Sequence, residues 1–175
     1  MIDCVTNHDA PSLFLCVNKP AIRDQILVLL RQELALQTRA AQLSREEAIS
    51  EESRPENQYD MHSQEAAYLA EGQARLAAEI ASNIALYETL SLSPAGANGL
   101  VTLGTAVAVE NAGRQSWYFL GPRAGGLELQ VENVPVLVLT PQSPLGRELL
   151  GKRVGDSVRV QTRTGFVIHH IADVV

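Results

Sequence analysis

Cysteine and positive charge are scarce in this sequence, and each shortage excludes a class of protein. The 175 residues include two cysteines, Cys4 and Cys16, with no Cys-x-x-Cys spacing, so neither a disulfide framework nor a cysteine zinc site is indicated. We expect both to be ordinary thiols in a reducing compartment. The net charge is −6, whereas binding to free nucleic acid is driven by basic surface and counterion release. We therefore expect weak binding to free DNA or RNA.

Long apolar runs are also missing. No stretch reaches the ~20 consecutive apolar residues that span a bilayer. The N-terminus lacks the basic region and clean apolar run that are typical of a signal peptide. We therefore expect a cytoplasmic protein without membrane contact. Residues 1–16 show no clear periodicity, and we expect them to form a flexible N-terminal extension.

A change in composition divides the rest of the chain into two architectures. Residues 21–92 are rich in Ala, Leu, Glu, Gln and Arg, with Pro55 as the one proline, whereas the chain after residue 98 is rich in Val, Gly and Thr. The pattern predicts a helical hairpin over residues 17–92, a linker over 93–98 and a β-rich domain over 99–175.

Two heptad-like rows predict the helices of this hairpin. Asn18 and Pro20 are typical of a helix start, and the first helix should run to about Ser50. Its row of seam residues is Leu27, Leu30, Leu34, Gln37, Ala41, Ser44 and Ala48. The row of the second helix is Ala66, Leu69, Gln73, Leu76, Ile80, Asn83, Tyr87 and Leu90.

These two rows predict an antiparallel coiled coil, because short polar links join antiparallel helices. Pairing the rows places Leu34 near Leu76 and Leu30 near Ile80. Ser53 is a candidate cap for the second helix, with Glu56 completing a capping box. Gly72, in the middle of that helix, suggests a close approach of the first helix.

Negative charge is concentrated where the hairpin turns. Residues 45–65 contain seven acidic and two basic residues, a net charge of −5 out of −6 for the whole chain. The predicted tip, at about residues 50–57, therefore collects charges that repel each other. Solvated helix ends explain part of this pattern, since acids are favoured near helix N-termini. A plain structural spacer has no need of such a tip.

The C-terminal part alternates short strand patterns with turn residues. The predicted strands are residues 101–109, 116–120, 127–131, 134–140, 156–160 and 166–174. One short helix interrupts them, with Ser143 as its cap, Pro144 as its first residue and Gly151 as its stop. We expect Leu145, Leu149 and Leu150 to pack this helix against the sheet. The domain is therefore predicted to be a compact α+β unit.

The segment from Ser143 to Lys152, followed by Gly155 and Asp156, resembles the C-terminal signature of the GreA/GreB transcription elongation factors. The segment 103–109 resembles the first strand of that family's C-terminal domain, and Glu56, Glu65 and the pair 71–72 keep the spacing of its second coiled-coil helix. The resemblance implies an N-terminal antiparallel coiled-coil hairpin followed by an FKBP-like β-rich domain. With four aromatic residues in this domain, three of them consecutive, an isomerase pocket is not indicated.

The resemblance also implies a function at bacterial RNA polymerase. Members of this family insert the hairpin into the polymerase secondary channel, where tip acids help to hold a second Mg²⁺ and the polymerase cleaves backtracked RNA. The chain would then be no enzyme itself and would have no cofactor of its own. The implied tip residues are Glu56, Glu52, Glu51, Asp60 and Asn57, with Glu56 foremost. The implied polymerase-docking residues are Ser143, Pro144, Arg147, Gly151, Lys152 and Asp156.

The tip departs from the family pattern at one position. The family has Asp, two residues, then Glu and Asn; here Ser53 takes the place of the aspartate, followed by Glu56 and Asn57. The family's tyrosine position holds Asp60, with Tyr59 one place earlier. One alternative is therefore a channel-binding factor that modulates or inhibits transcription without stimulating cleavage. Another is a structural protein that dimerises through its hairpin, although we expect a monomer.

Overall fold

The computed structural model describes residues 17–49, 62–92, 99–163 and 165–175. The predicted N-terminal extension, the tip at about residues 50–57 with Asp60, and the linker at 93–98 lie outside the described residues. Within these ranges, two long helices precede a six-stranded sheet that carries one short helix. This confirms the predicted fold class. Neither long helix has a stretch that is apolar enough to cross a membrane within its described residues.

The two helices run antiparallel along each other. Helix α1 spans Lys19–Ile49 and α2 spans His62–Glu88. The amide of Ala21 donates to the side chain of Asn18 over 3.3 Å, as expected for a helix cap. Ser44 Oγ donates to Gln73 Oε1 over 3.1 Å, and Arg31 pairs with Glu88 over 2.7 Å. These two contacts fix the direction and the register of the pair.

The predicted seam is confirmed on α1 from Leu27 to Ser44 and is wrong for part of α2. Leu27, Leu30 and Ser44 are buried on α1, but Leu69 and Leu76 are 56% and 42% exposed on α2. The buried or half-buried residues of α2 are Ala66, Ala70, Gln73, Ala77, Ile80, Asn83, Ile84 and Tyr87. Both rows of α2 have heptad spacing, so sequence alone favours the one with more leucine. The alanines form the contact because small side chains let the helices approach closely.

The predicted pairing of Leu34 with Leu76 and of Leu30 with Ile80 is also displaced. With Ser44 opposite Gln73, Leu34 lies level with the turn that contains Ile84, about two helical turns further along α2. Gly72 is exposed, and a Cβ built there meets nothing within 4 Å. It therefore marks no close approach of α1.

The strands of the sheet are β1 Ala106–Asn111, β2 Arg114–Leu120, β3 Glu128–Val131, β4 Val134–Leu139, β5 Ser157–Thr162 and β6 Gly165–Val174. They lie in the order β3-β4-β2-β1-β6-β5. Neighbouring strands are antiparallel except β2 and β4, which are parallel. The short helix α3 spans Pro144–Leu149, between β4 and β5.

Strand β1 begins five residues later than predicted. Gly104 has φ +83°, and a Cβ there would lie 2.6 Å from the carbonyl oxygen of Ser91. The chain therefore turns at Leu103 and Gly104 before it enters the sheet, and only glycine fits this approach. Tight turns join β1 to β2 and β3 to β4. The first has positive φ at Ala112 and Gly113, and the second at Glu132 and Asn133.

Side chains alternate between the two faces of the sheet, and each face has its own core. One face includes Phe119, Leu129, Val136 and Val138 and packs with residues from the start of α1 and the end of α2. The other face includes Val107, Leu120 and Ile171 and packs with Leu149 of α3. Leu145 supports this second core, but Leu150 is 44% exposed. The prediction that Leu150 packs on the sheet is therefore wrong, because α3 ends one residue before it.

Tyr87 fastens the end of α2 to the sheet. Its side chain is fully buried, and its Oη donates to the carbonyl oxygen of Arg123 over 2.7 Å. Burial raises the pKa of this phenol, so it stays a neutral donor across the physiological range. A Cβ on Gly121 would overlap Tyr87 Oη. On α1, Gln25 Nε2 donates to the carbonyl oxygen of Gln130 in β3 over 3.0 Å.

This junction predicts a specific coupling between two substitutions. Gly121→Ala should destabilise the protein by about 1–3 kcal/mol, because the methyl group overlaps Tyr87 Oη. Tyr87→Phe should cost about 1 kcal/mol through the lost hydrogen bond. The double variant should lose less than the sum, because the hydroxyl that clashes with the methyl group is gone. Urea unfolding of the four proteins measures this coupling.

Gly72→Ala is the matched control, since it adds a methyl group in open space on α2. It should stabilise the protein by up to about 1 kcal/mol through helix propensity. Strict additivity of Gly121→Ala and Tyr87→Phe would contradict the described junction.

Candidate functional site

The loop and helix that carry the predicted docking signature are built around a capping serine. Ser143 Oγ accepts from the amide of Gly146 over 3.1 Å and donates to the carbonyl oxygen of Thr140 over 2.8 Å. Pro144 is the first residue of α3, where its missing N–H costs nothing. A Cβ on Gly146 would overlap the carbonyl oxygen of Thr140 and approach Ser143 Oγ to 2.7 Å. The signature therefore fixes the shape of this loop.

Two more of the predicted docking residues also have contacts within the domain. Gly151 has φ +77°, and its amide donates to the carbonyl oxygen of Val101 over 2.9 Å. The carboxylate of Asp156 accepts from the amide of Arg153 over 2.8 Å. These residues shape the turn after α3, and both remain exposed. Any role in docking adds to this structural one.

Pro144 and Arg147 offer the chemistry that a partner can use most directly. Both are exposed, whereas Lys152 is half-buried. The guanidinium of Arg147 reaches the carbonyl oxygen of Gln142 over 3.4 Å, a long contact that a carboxylate on a partner could replace. The predicted docking residues therefore lie around one helix, with Pro144 and Arg147 facing solvent.

Sequence reasoning missed the surface beside α3. A groove between α3 and the β5–β6 hairpin is lined by Pro144, Arg147, Arg159 and Phe166, which we call the α3 groove. Phe166 is 58% exposed, and the guanidinium of Arg159 lies 4.4 Å from the centre of its ring, within cation–π range. The sequence signal that could have pointed to this groove was Phe166, an aromatic residue at the start of the last predicted strand.

The acidic residues at the described ends of the hairpin are exposed. Glu46 and Glu47 lie in the last turn of α1, and Glu65 lies in the first turn of α2. Between them, Glu51, Glu52, Glu56, Asn57 and Asp60 lie outside the described residues. Over the described ranges, no group of three or more His, Cys, Asp or Glu side chains is placed to hold a metal ion. Metal contact at the tip therefore stays a prediction.

His169 and His170 are the titratable pair of strand β6. His170 Nδ1 lies 2.8 Å from Ser157 Oγ, in a hydrogen bond that joins β6 to β5. His169 is half-buried, and burial lowers its pKa. His170 therefore contributes to the pairing of β5 with β6, and His169 lies partly inside the domain.

The solved structures similar to this chain include transcription factors. Thermus aquaticus Gfh1 is 24% identical, with 89% of this chain and 94% of that chain covered and a TM-score of 0.36. Gfh1, or GreA factor homolog 1, of Thermus thermophilus is 19% identical, with coverage of 85% and 94% and a TM-score of 0.35. The GreA/GreB factor from Nitrosomonas europaea is 19% identical, with 59% of this chain and 79% of that chain covered and a TM-score of 0.36.

The C-terminal domain matches the model of a known family. No curated protein matches the sequence. The model of the family "Transcription elongation factor, GreA/GreB, C-term" matches residues 96–174. This range contains all six strands and α3 with its capped loop. Residues 96–174 of this chain therefore form a domain similar to the C-terminal domain of the GreA/GreB transcription elongation factors.

Proposed function

We propose that this protein binds bacterial RNA polymerase and inserts its helical hairpin into the secondary channel. The observation that carries the proposal is a long helix pair joined through one core to a GreA/GreB C-terminal domain. In this proposal the sheet domain binds the polymerase, and the hairpin extends into the secondary channel. The protein then works in the cytoplasm and meets nucleic acid inside the elongation complex.

The dimensions of the hairpin suit this role. Helix α1 has 31 residues, which corresponds to about 45 Å at ~1.5 Å per residue. Two helices side by side are narrow enough to enter a channel that excludes a globular domain. The hairpin would then carry negative charge to the inner end of the channel, since residues 45–65, around its turn, have a net charge of −5.

Carboxylates at that end support a role with the Mg²⁺ of the polymerase. A second divalent ion can activate a water and stabilise the leaving oxygen in phosphodiester cleavage, and it needs oxygen ligands to stay in place. Glu56 is the foremost candidate ligand, with Glu51, Glu52, Asn57 and Asp60 as further candidates. The cleavage would be catalysed by the polymerase, and this chain would hold no metal of its own.

Ser53 favours a second candidate function. Where the family has an aspartate, this chain has a serine, and a neutral hydroxyl is a weak ligand for Mg²⁺ compared with a carboxylate. A factor with this tip can occupy the channel and modulate or inhibit transcription without stimulating cleavage. The two candidates share the docking step and differ in the fate of backtracked RNA.

RNA cleavage in a stalled, backtracked elongation complex separates these candidates. If the tip assists Mg²⁺, the protein should accelerate cleavage, and Glu56→Ala should lower the rate by at least about tenfold. Glu128→Ala is the matched control, because Glu128 is an exposed acid on β3. It should leave cleavage unchanged.

Ser53→Asp restores the family's carboxylate and should raise the cleavage rate of a weakly active protein. A wild-type protein that competes with a cleavage-stimulating Gre factor but accelerates nothing would establish the second candidate. A protein that neither stimulates cleavage nor competes would exclude both.

The docking surface predicts a loss of affinity without a loss of fold. Arg147→Glu reverses an exposed charge beside the α3 groove and should weaken binding to polymerase by about tenfold. Its melting temperature should stay unchanged. Arg114→Glu is the control, since Arg114 is exposed at the start of β2. Leu149→Asp, by contrast, should unfold the domain, because Leu149 is 1% exposed.

Fluorescence titration with core polymerase measures these affinities. Equal binding by Arg147→Glu and wild type would remove the α3 groove from the docking surface.

A further inference from the structure

Four large apolar side chains form an exposed ridge along one flank of the hairpin. They are Leu36 and Leu43 on α1 and Leu69 and Leu76 on α2, with exposures of 61%, 57%, 56% and 42%. Each pair is spaced by seven residues, so each forms a straight row along its helix. We call these four residues the leucine ridge.

The contacts between the helices place the ridge on one side. The Arg31–Glu88 ion pair marks one flank of the hairpin. A groove on that flank is lined by Arg45, Ile49 and Ala67 among others. Helical spacing turns the rows of Leu36 and Leu43 and of Leu69 and Leu76 away from that flank, to the opposite side. The Arg31–Glu88 ion pair therefore lies on one flank of the hairpin, which we call the charged flank, and the leucine ridge lies on the other.

The charges beside the ridge are mainly negative. Glu33 and Glu47 lie three or four residues from the leucines of α1, and Glu65 and Glu79 have the same spacing on α2, so they are their helical neighbours. All four acids are exposed. Arg31 and Arg45 lie on the opposite flank. Arg39 is exposed and lies three residues after Leu36 and four before Leu43, so it is a basic neighbour of the ridge, outnumbered by the acids. Arg75 pairs with Glu71 of its own helix.

This combination selects among possible partners. Phosphates repel an acidic rim, so the ridge does not suit nucleic acid. A second copy would bring two acidic rims together, which like charges oppose. The leucines expose on the order of a few hundred Å², less than the ~800 Å² that each partner buries in a stable complex. The ridge therefore suits one part of a larger protein interface.

We propose that the leucine ridge docks on an apolar protein surface flanked by Lys and Arg, and that it sets the rotation of the hairpin about its own axis. This inference rests on the proposed function, in which that surface belongs to the wall of the polymerase channel. Docking at the α3 groove fixes one end of the factor, and the ridge fixes the face that the helices present inside.

The test is the affinity of the full chain for core RNA polymerase. The double variant Leu43→Gln, Leu76→Gln removes half of the ridge, and glutamine keeps helix propensity close to that of leucine. We expect binding to weaken about tenfold or more, with an unchanged thermal melting curve.

Val28→Gln, Ile49→Gln is the matched control. Both residues are exposed, Ile49 on the charged flank and Val28 outside the ridge, and this variant should bind like wild type.

Charge reversal tests the rim independently. Glu33→Lys, Glu79→Lys should also weaken binding, and the loss should shrink as salt is raised. Equal affinity of wild type and both ridge variants would overturn the inference while leaving the proposed function intact. A wild type without any polymerase affinity would instead overturn the proposed function. Sedimentation that shows a wild-type dimer, dissociated by the leucine variant, would assign the ridge to a second copy and contradict the proposal.

Discussion

The packing of the helix roots on one face of the sheet is the contact on which the rest of the architecture depends. Ile22 and Ile26 of α1 and Ile84 and Tyr87 of α2 share one core with Phe119 and Val138 of the sheet. Tyr87 adds a directional hydrogen bond to Arg123, and Gly121 leaves room for its ring. A hairpin on a loose linker would point in many directions. A hairpin rooted in the core of the sheet has a defined direction relative to the sheet.

The two faces of the sheet carry different elements. The face opposite the helix roots packs with α3, and α3 carries the exposed Pro144 and Arg147 beside the α3 groove. A partner that binds this groove thus leaves the junction at Tyr87 untouched.

The elements that sequence predicted well are those with strong local signals. Two long apolar periodicities gave two helices, and the capping serine with its proline gave α3. The inner row of α2 was missed because alanine, rather than leucine, makes the contact with α1, and close approach is a property of the pair of helices. The late start of β1 depends on Gly104 approaching Ser91, two residues joined only by the fold. The α3 groove combines residues from α3, β5 and β6, which periodicity cannot bring together. The roles of Glu56 and its neighbours at the tip remain predictions from resemblance.

Coincidence of two unfolding transitions tests the shared core most directly. Far-UV circular dichroism at the helical band reports mainly the hairpin, while fluorescence reports Trp117, the single tryptophan of the chain, which packs against the shared core from β2. If the helix roots and the sheet form one cooperative unit, both signals should change at the same urea concentration. Loss of the helical signal at a lower urea concentration, with Trp117 fluorescence still native, would contradict a rooted hairpin and replace it with two independent units.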